Sequence, residues 1–455
     1  MTMATTLSPP TGGTRAGRRT PGTRASGAPA RSLKHLLAPR SVAVTGALQQ
    51  HGLAGYEVLR ALRDYGFRGR LYPVHESGRP VCGIPGHRTI AELPAATDLI
   101  VVAAGGGQAT DAVREAGRCG IAGAVVLGVA DTQENRELEQ VARDYRISLV
   151  GPGSFGVFNT DPRVRLDATL SRARPPRGGL ALACQSSAVG VALLEHVTRN
   201  GCGVASFVSV GDGRDLGDAG SIAYWYHDAH TRAVALFPDT PGDPQRLAAA
   251  VEPLSQRKPV LVVGGTGPDS IIAGSMEADS GIIHTSSLDE VTDAARMLVS
   301  QPLPAGNRLG IVGNAGALTA VAANTALAHG FVMPSGVGAD VDIEAGAAEI
   351  AAAVDTVAGT GQVDMVLALV VGTRANCPAA IMTALAHTLD RRPGLTAAVV
   401  LAGSPDDIHR VGIRDIPVYR QQDRAIRALA HTHRYAIWRR SSAHDNLRRL
   451  RAGRP

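Results

Sequence analysis

The chain has 455 residues, more than one ordinary hydrophobic core holds, and this length predicts two to four domains. Its 44% hydrophobic content is typical of a globular protein, and no apolar run reaches the roughly 18 residues of a membrane span. The net charge of +6 comes from the two ends. Residues 1–40 contain seven basic and no acidic residues, and residues 439–455 contain six arginines and one aspartate, so the body of the chain is acidic.

The two basic ends are predicted to be solvated, disordered tails, over residues 1–33 and 437–455. Their arginine-rich stretches show no hydrophobic periodicity and contain no interleaved aromatic residues. Basic tails can contact nucleic acid, but without interleaved aromatic residues or a known nucleic-acid-binding fold, solvated tails are favoured and a nucleic-acid partner is not expected.

The cysteines and the first residues both indicate a cytoplasmic protein. The five cysteines are scattered and form no C-x-x-C pair, so we expect neither a disulfide framework nor a metal site. The first residues include arginines but no apolar segment before a cleavage site, unlike a secretory signal.

Between residues 34 and 150, short apolar runs alternate with amphipathic helical patterns. Continuous apolar strands separated by such helices are typical of a parallel sheet covered on both faces. The sequence therefore predicts a doubly wound, Rossmann-like nucleotide-binding domain over 34–150. The predicted strands are 41–45, 70–74, 99–103, 124–127 and 148–150, and the predicted helices are 56–65, 109–117 and 134–145.

The same alternation restarts twice, which predicts two further α/β domains over 151–300 and 305–436. A Pro/Gly-rich linker, PLPAG at 302–306, separates them. The predicted strands of the second domain are 179–183, 204–208, 233–236 and 260–263, and those of the third are 309–312, 365–370 and 397–401.

A glycine-rich turn follows the first predicted strand, at 46–55. Glycines at a strand-to-helix turn let backbone amides approach a phosphate near the helix N-terminus. The spacing of Gly46, Gly52 and Gly55 is not that of the dinucleotide fingerprint G-x-G-x-x-G, and a plain connecting turn explains it equally well. The second strand ends in Val74-His75 with no acidic residue to hold a ribose, which argues against NAD.

Two more turns join a buried strand to a helix. In the first, CQSSAVG at 184–190, Ser186 or Ser187 can cap the helix, and the free amides there can hold a phosphate; both interpretations stay open. In the second, GIVGNAG at 310–316, no basic residue follows to bind an anion, so an ordinary turn is favoured.

Taken in order, these turns and their surroundings resemble the NDP-forming acyl-CoA synthetases, which are relatives of succinyl-CoA synthetase. The resemblance runs from about residue 39 to residue 436. It is carried by SVAVTGA, GRLYPVHESGRPVCGIPGHRTIAELPAATDLIVVA, LVGPGSFGVFNTDPRVRLDATL, CQSSAVGVALLEHVTRNG, SFVSVGDGRDL, QRKPVLVV, QPLPAGNRLGIVGNAGA and IPVYRQQDRAIRALA.

The resemblance implies a CoA-binding domain followed by two flavodoxin-like CoA-ligase domains. It implies that Ser186 and Ser187 lie at a helix N-terminus that holds the phosphate of a phosphohistidine. The family reaction is acyl-CoA + NDP + phosphate ⇌ carboxylate + CoA + NTP, with a histidine carrying the phosphoryl group to an ATP-grasp module. The residues implied to line the CoA cleft are Gly46, Ala47, Leu48, Gly52, His75, Ala103 and Ala104.

The sequence departs from the family pattern where the phosphoryl carrier is expected. The family's S-H-T-G-A-L segment has no counterpart before GIIHTSSLDEV, and His284 aligns with a later segment and is predicted to be a surface residue. Gly264-Gly265-Thr266 replaces a Lys-Ser-Gly, and Asp239 stands where the family has an orienting glutamate. The Asn-Pro-Val-Asp segment of the third domain is also missing, and we expect any ATP-grasp module to be on a partner chain.

Three interpretations follow from this pattern. The chain is a CoA- or acyl-CoA-binding protein that has lost the phosphohistidine relay, or it is the α-type subunit of an active acyl-CoA synthetase with an ATP-grasp partner. The third possibility is a structural scaffold with vestigial clefts. In either of the first two cases we expect a homo- or hetero-oligomer without membrane contact.

Overall fold

Three largely parallel sheets, each with helices between its strands, follow one another along the chain. The computed structural model describes residues 33–129, 131–211, 219–238, 244–264, 281–404 and 407–452. The predicted N-terminal tail therefore lies outside the described residues, apart from Leu33. The predicted α/β class with parallel sheets is confirmed. Among the described residues, no helix is both long enough and apolar enough to cross a membrane.

The first sheet has five parallel strands in the order β2-β1-β3-β4-β5. The chain moves from β1 to one side to form β2 and then to the other side to form β3, so the topological switch point lies between β1 and β3. The strands β3 and β4 are fully buried, as continuous apolar runs predict. The elements are α1 Lys34–Leu37, β1 Ser41–Thr45, α2 Ala54–Tyr65, β2 Arg70–Val74, β3 Leu99–Val102, α3 Gly106–Arg118, β4 Gly123–Val126, α4 Thr132–Asp144 and β5 Ser148–Val150.

The second sheet has seven strands in the order β12-β11-β10-β8-β9-β6-β7. Its switch point lies between β8 and β10, and β6 and β7 form an antiparallel edge that the sequence did not predict. The elements are β6 Gly156–Asn159, β7 Leu166–Thr169, β8 Arg177–Cys184, α5 Ser187–Arg199, β9 Val204–Ser209, α6 Ala219–His227, β10 Ala233–Phe237, α7 Pro244–Ser255, β11 Val260–Val263, β12 Ile282–Thr285 and α8 Leu288–Ser300.

The third sheet has the order β14-β13-β15-β16-β18-β17, and only the short β17 runs antiparallel to its neighbour. Its elements are β13 Leu309–Gly313, α9 Gly316–Ala328, β14 Ala339–Asp340, α10 Ala347–Gly359, β15 Met365–Val371, α11 Pro378–Asp390, β16 Thr396–Ala402, β17 Arg410–Val411, β18 Ile416–Tyr419 and α12 Gln422–Ala452.

The C-terminal segment differs from the disordered tail predicted from residue 437. Helix α12 continues to Ala452. Its aromatic residues Tyr435 and Trp438 pack with apolar side chains of the second domain. The Tyr435 hydroxyl donates to the carbonyl of Ser255 at 2.8 Å, and the Trp438 indole lies directly against Gly281. The two aromatic residues are three positions apart and therefore share a face of the helix. The arginine-rich composition concealed this apolar face.

Candidate functional site

The turn after β1 meets the turn after β3 at the switch point of the first sheet. Gly46 has φ +80°, and a Cβ added there would lie 2.9 Å from the carbonyl carbon of Ala103. Ala47 also has a positive φ of 47°. A Cβ on Gly55, in the first turn of α2, would lie only 2.0 Å from the carbonyl oxygen of Gly46. Only glycine allows this approach of bare backbone, at the crevice where doubly wound sheets bind their ligands.

Glu57 stabilises this turn from the first turn of α2. Its Oε1 accepts a hydrogen bond from the Gly52 amide at 2.9 Å, and its Oε2 lies 2.6 Å from Arg60 Nη2. The Gly52 amide and the Arg60 guanidinium hold the pKa of this carboxyl below its usual value. The Gly52 amide is therefore engaged within the protein, and the Leu48 side chain is buried among apolar residues such as Val44. Any contact of Leu48 with a ligand would come from its backbone.

The remaining residues implied to bind CoA lie at the same carboxyl edge of the sheet. His75 follows β2, with Nε2 2.9 Å from the carbonyl of Arg79 and Nδ1 2.9 Å from the Ser77 hydroxyl. Ala103 follows β3, and its amide donates to the Thr45 carbonyl at 2.8 Å. Ala104 comes next in the chain. The topology thus brings the turns after β1, β2 and β3 to one edge.

The second switch point carries the two serines predicted to face a phosphate. Ser186 is the N-cap of α5 and accepts a hydrogen bond from the Val189 amide at 3.4 Å. The Ser187 hydroxyl donates to the carbonyl of Gly153 at 2.5 Å. The cap interpretation is therefore correct for Ser186, and the N-terminus of α5 still offers its partial positive charge to an anion.

A segment that sequence reasoning missed, residues 151–155, joins the two carboxyl edges. The Gly153 amide donates to the Gly128 carbonyl at the end of β4, while the Gly153 carbonyl accepts from Ser187. On the other side, the Gly151 amide donates to the Val210 carbonyl after β9. The crevice between the turns after β1 and β3 and the N-terminus of α5 therefore share one wall. The stretch LVGPGSFGVFN contained the signal, because its glycines follow directly on β5.

His284, the one histidine between His230 and His329 in the sequence, lies in a strand. His284 is in β12, where it pairs with Val262 of β11, and its Nε2 atom is enclosed by protein. The sequence predicts His284 at the surface; the residue is partly exposed in the edge strand, while its Nε2 atom is enclosed. Asp239 and Gly265-Thr266 lie outside the described residues, so their implied roles stay predictions.

The third glycine turn is stabilised from within the protein. The Asn314 side chain is buried, donates to the Val371 carbonyl at 3.0 Å and accepts from the Val371 amide at 2.7 Å. These bonds join the ends of β13 and β15 across the sheet. The turn thus has a structural role that explains its asparagine without any ligand.

A buried carboxyl, Asp167 in β7, lies close to the first domain. Its side chain is 1% exposed, Arg174 Nε lies 3.8 Å away and the Thr169 hydroxyl donates to it at 2.8 Å. Burial outweighs these contacts and raises the pKa of Asp167 to about 6. The folded state therefore retains a proton that the unfolded state releases above pH 4, so stability falls as the pH rises from about 4 to about 6.

Replacing Asp167 with asparagine should stabilise the protein at pH 8 by about 1–2 kcal/mol, because one pKa unit corresponds to about 1.4 kcal/mol. The gain should vanish near pH 4. Asp161→Asn is the matched control of opposite sign, since hydrogen bonds from Arg163 lower the pKa of Asp161 to about 2. Scanning calorimetry at both pH values measures both variants, and a pH-independent effect of Asp167→Asn would contradict the assignment.

Comparison with known proteins agrees with this geometry. Residues 40–160 match the family model of a CoA binding domain, and residues 177–275 match that of a succinyl-CoA ligase like flavodoxin domain. The ADP-forming acetate–CoA ligase I of Archaeoglobus fulgidus is 31% identical over 315 residues, which are 64% of this chain and 45% of that protein. The chain contains a CoA-binding domain and a succinyl-CoA ligase like flavodoxin domain, and its homologues are ADP-forming acetate–CoA ligases. Its first domain is a CoA-binding domain, and coenzyme A is the ligand of that domain.

Further ADP-forming acetate–CoA ligases match this chain over similar lengths. The acetate–CoA ligase of Methanocaldococcus jannaschii is 26% identical over 314 residues, so the chain spans less than half the length of these two relatives, at 44% and 45%. The α subunit of acetate–CoA ligase I from Pyrococcus furiosus is 28% identical over 66% of this chain and 70% of that subunit.

A solved structure has the same fold over nearly the whole chain. The dinucleotide-forming acetyl-coenzyme A synthetase 1 of Ca. Korarchaeum cryptofilum superposes with a TM-score of 0.83, covering 91% of this chain and 99% of that one. At 22% identity, this likeness concerns the fold alone.

Proposed function

We propose that the protein binds CoA or acyl-CoA in the crevice between the turns after β1 and β3, and that it does not carry phosphoryl groups on histidine. The approach of Gly46 to Ala103 supports the first part, because it exposes bare backbone at the switch point of the CoA-binding domain. Phosphates of the ligand would lie against Gly46 and Ala47, and the remainder would extend past His75 and Ala104.

The second part of the proposal concerns the phosphoryl relay. A carrier histidine needs an accessible imidazole, a carboxylate to orient it and donors that stabilise the phosphate. The N-terminus of α5 at Ser186 and Ser187 supplies the donors. His284 is the only histidine between His230 and His329, and its place in the sheet keeps Nε2 away from any substrate. The site can hold an anion but has no nucleophile to exchange it.

A second candidate function is that of the α-type subunit of an active acyl-CoA synthetase with an ATP-grasp partner. The match over 70% of the Pyrococcus α subunit favours it. In that case phosphate would attack the acyl carbon of acyl-CoA, releasing CoA, and the phosphoryl group of the acyl phosphate would pass to histidine as the carboxylate leaves. This half-reaction needs no nucleotide and therefore no ATP-grasp subunit.

The two candidates differ in one measurement. After incubation with [³²P]phosphate and a panel of short-chain acyl-CoA thioesters, the wild-type protein should carry no acid-labile, base-stable label. His284→Ala should bind CoA as the wild type does. The matched control is His329→Ala, a substitution outside the region of the expected carrier.

The outcome is unambiguous because both substitutions leave the CoA-binding domain intact. Label on the wild type that His284→Ala loses and His329→Ala keeps would show that the relay works through His284. Label that both variants keep would place the carrier on another histidine. Either result would establish the α-subunit function instead.

A further inference from the structure

A cavity lies at the edge of the second sheet opposite Ser186 and Ser187. It has a volume of about 590 Å³ and lies between the amino ends of β8, β9 and β10 on one side and the β17–β18 hairpin on the other. This volume falls within the range of small-molecule sites. The cavity is far from the carboxyl ends of the strands, where the proposed CoA and phosphate sites lie. A role in binding those ligands therefore does not account for it.

Positive charge dominates the walls of the cavity. Five arginines face it against one carboxylate, that of Asp415, among the lining residues that the structure describes. They come from four separate segments of the sequence, and they are Arg177, Arg232, Arg296, Arg410 and Arg414. Guanidinium groups held together in a concave site repel one another unless an anion neutralises them.

Carbonyl groups hold three of these arginines in place, and one of the three, Arg296, also lies 3.9 Å from the carboxylate of Asp293. Arg232 donates to the Val299 carbonyl at 3.0 Å, and Arg296 donates to the Val418 carbonyl at 2.7 Å. Arg414 donates to the carbonyls of Leu389, Arg392 and Leu395 and to the side chain of Gln301. Their orientation is therefore fixed in advance, which lowers the entropy that binding a ligand costs.

The two outer arginines remain available. Arg177 makes no ion pair or hydrogen bond through its side chain with any residue in the described parts of the chain. Arg410 Nε lies 3.4 Å from Asp415 Oδ1, with both side chains about half exposed, so this pair is weak. Arginine forks match phosphate oxygens and bind them through paired hydrogen bonds.

Glycines line part of the cavity and allow residues on its two sides to approach closely. A Cβ on Gly179 would meet the aliphatic part of Arg232 at 3.0 Å, and one on Gly201 would meet the His409 ring at 2.5 Å. Gly201 also has φ +62°. Because these positions lack side chains, groups from the second and third domains reach the same small volume.

We infer that this cavity, defined by its five arginines, binds a polyphosphate anion, either inorganic or the polyphosphate part of a nucleotide. Several fixed guanidinium groups suit a chain of phosphates rather than a single carboxylate. Ile413, 91% exposed at the rim, offers an apolar surface for the rest of the ligand. The site is separate from the CoA crevice and does not depend on the function proposed for it.

The test is isothermal titration calorimetry of the full chain, saturated with CoA, with inorganic triphosphate and ADP in magnesium-free buffer. Both should bind at one site, more weakly as KCl rises from 0.05 to 0.5 M. The double variant Arg177→Glu/Arg410→Glu should weaken binding by at least about tenfold, since hydrogen bonds to charged groups contribute about 1.5–3 kcal/mol. Arg172→Glu, an exposed arginine of the same domain outside the cavity, is the matched control and should bind normally.

Comparing the affinities of ADP and inorganic triphosphate distinguishes a nucleotide from an inorganic polyphosphate as the ligand. Tighter binding of ADP than of triphosphate supports a nucleotide, and equal binding supports inorganic polyphosphate; both agree with the inferred site. Absence of binding by either anion at millimolar concentration would overturn the inference. So would unchanged affinity in the double variant. CoA binding by the double variant should equal that of the wild type, so failure here is distinguishable from failure of the CoA assignment.

Discussion

Gly46→Val should reduce CoA affinity by at least about 100-fold, which corresponds to about 2.7 kcal/mol of binding free energy. Gly46 has φ +80°, and its Cβ position lies 2.9 Å from the Ala103 carbonyl. A valine there must displace the turn after β3 or move out of the crevice itself. In either case the backbone no longer presents its amides to the phosphates of the ligand. Calorimetric titration with CoA measures the loss directly.

A matched control for Gly46→Val is a valine at another glycine with positive φ that lies away from the crevice. Gly120, at the opposite edge of the same sheet, has φ +77° and no atom within 4 Å of its Cβ position. Gly120→Val should therefore lose the same roughly 1–2 kcal/mol of stability for a side chain in the left-handed region, yet bind CoA normally. Equal CoA binding by the two variants would place the ligand elsewhere.

The parallel strands could be predicted from the sequence because their signal is local. Runs such as Leu99–Val102 are continuously apolar and fully buried, and the turns that follow them are rich in glycine. The antiparallel strand Leu166–Thr169 could not be predicted, since it contains a buried aspartate and lacks both alternation and a clear apolar run. Its place depends on pairing with Gly156–Asn159 and on packing under α2.

The site was predictable in position and less so in detail. The sequence pattern indicated Gly46, Ser186 and Ser187 at the ends of strands, and the structure places all three there. That Glu57 engages the Gly52 amide depends on the precise first turn of α2, which no spacing rule describes. The basic cavity was not predictable at all, because its arginines come from distant segments that meet only when the third domain docks on the second.

That docking depends on a buried charge network between α8 and α12. The Arg424 Nε donates to Asp293 Oδ2 at 2.6 Å, and its Nη2 donates to Asp293 Oδ1 at 3.1 Å and to Asp289 at 3.0 Å. The Asp293 side chain is almost fully buried, and this burial raises its pKa even beside the guanidinium. The neighbouring Arg296 is 3.9 Å away and is engaged by carbonyl groups of the third sheet.

Arg424→Met should destabilise the protein by about 3 kcal/mol at pH 7.5, because removing one partner of a buried pair leaves Asp293 with the more distant Arg296, 3.9 Å away. The loss should be smaller at pH 5: without Arg424 the pKa of Asp293 rises further, the folded state retains a proton that the unfolded state releases, and stability falls with rising pH. Asp293→Asn combined with Arg424→Met should recover part of the loss, since the buried carboxylate is then removed as well.

Arg427→Met, which removes an exposed pair with Asp423 on the same helix, should change stability by less than about 0.5 kcal/mol. Chemical denaturation of the four proteins at both pH values gives these differences, and a pH-independent loss in Arg424→Met would mean that packing rather than the charge of Asp293 holds the two domains together.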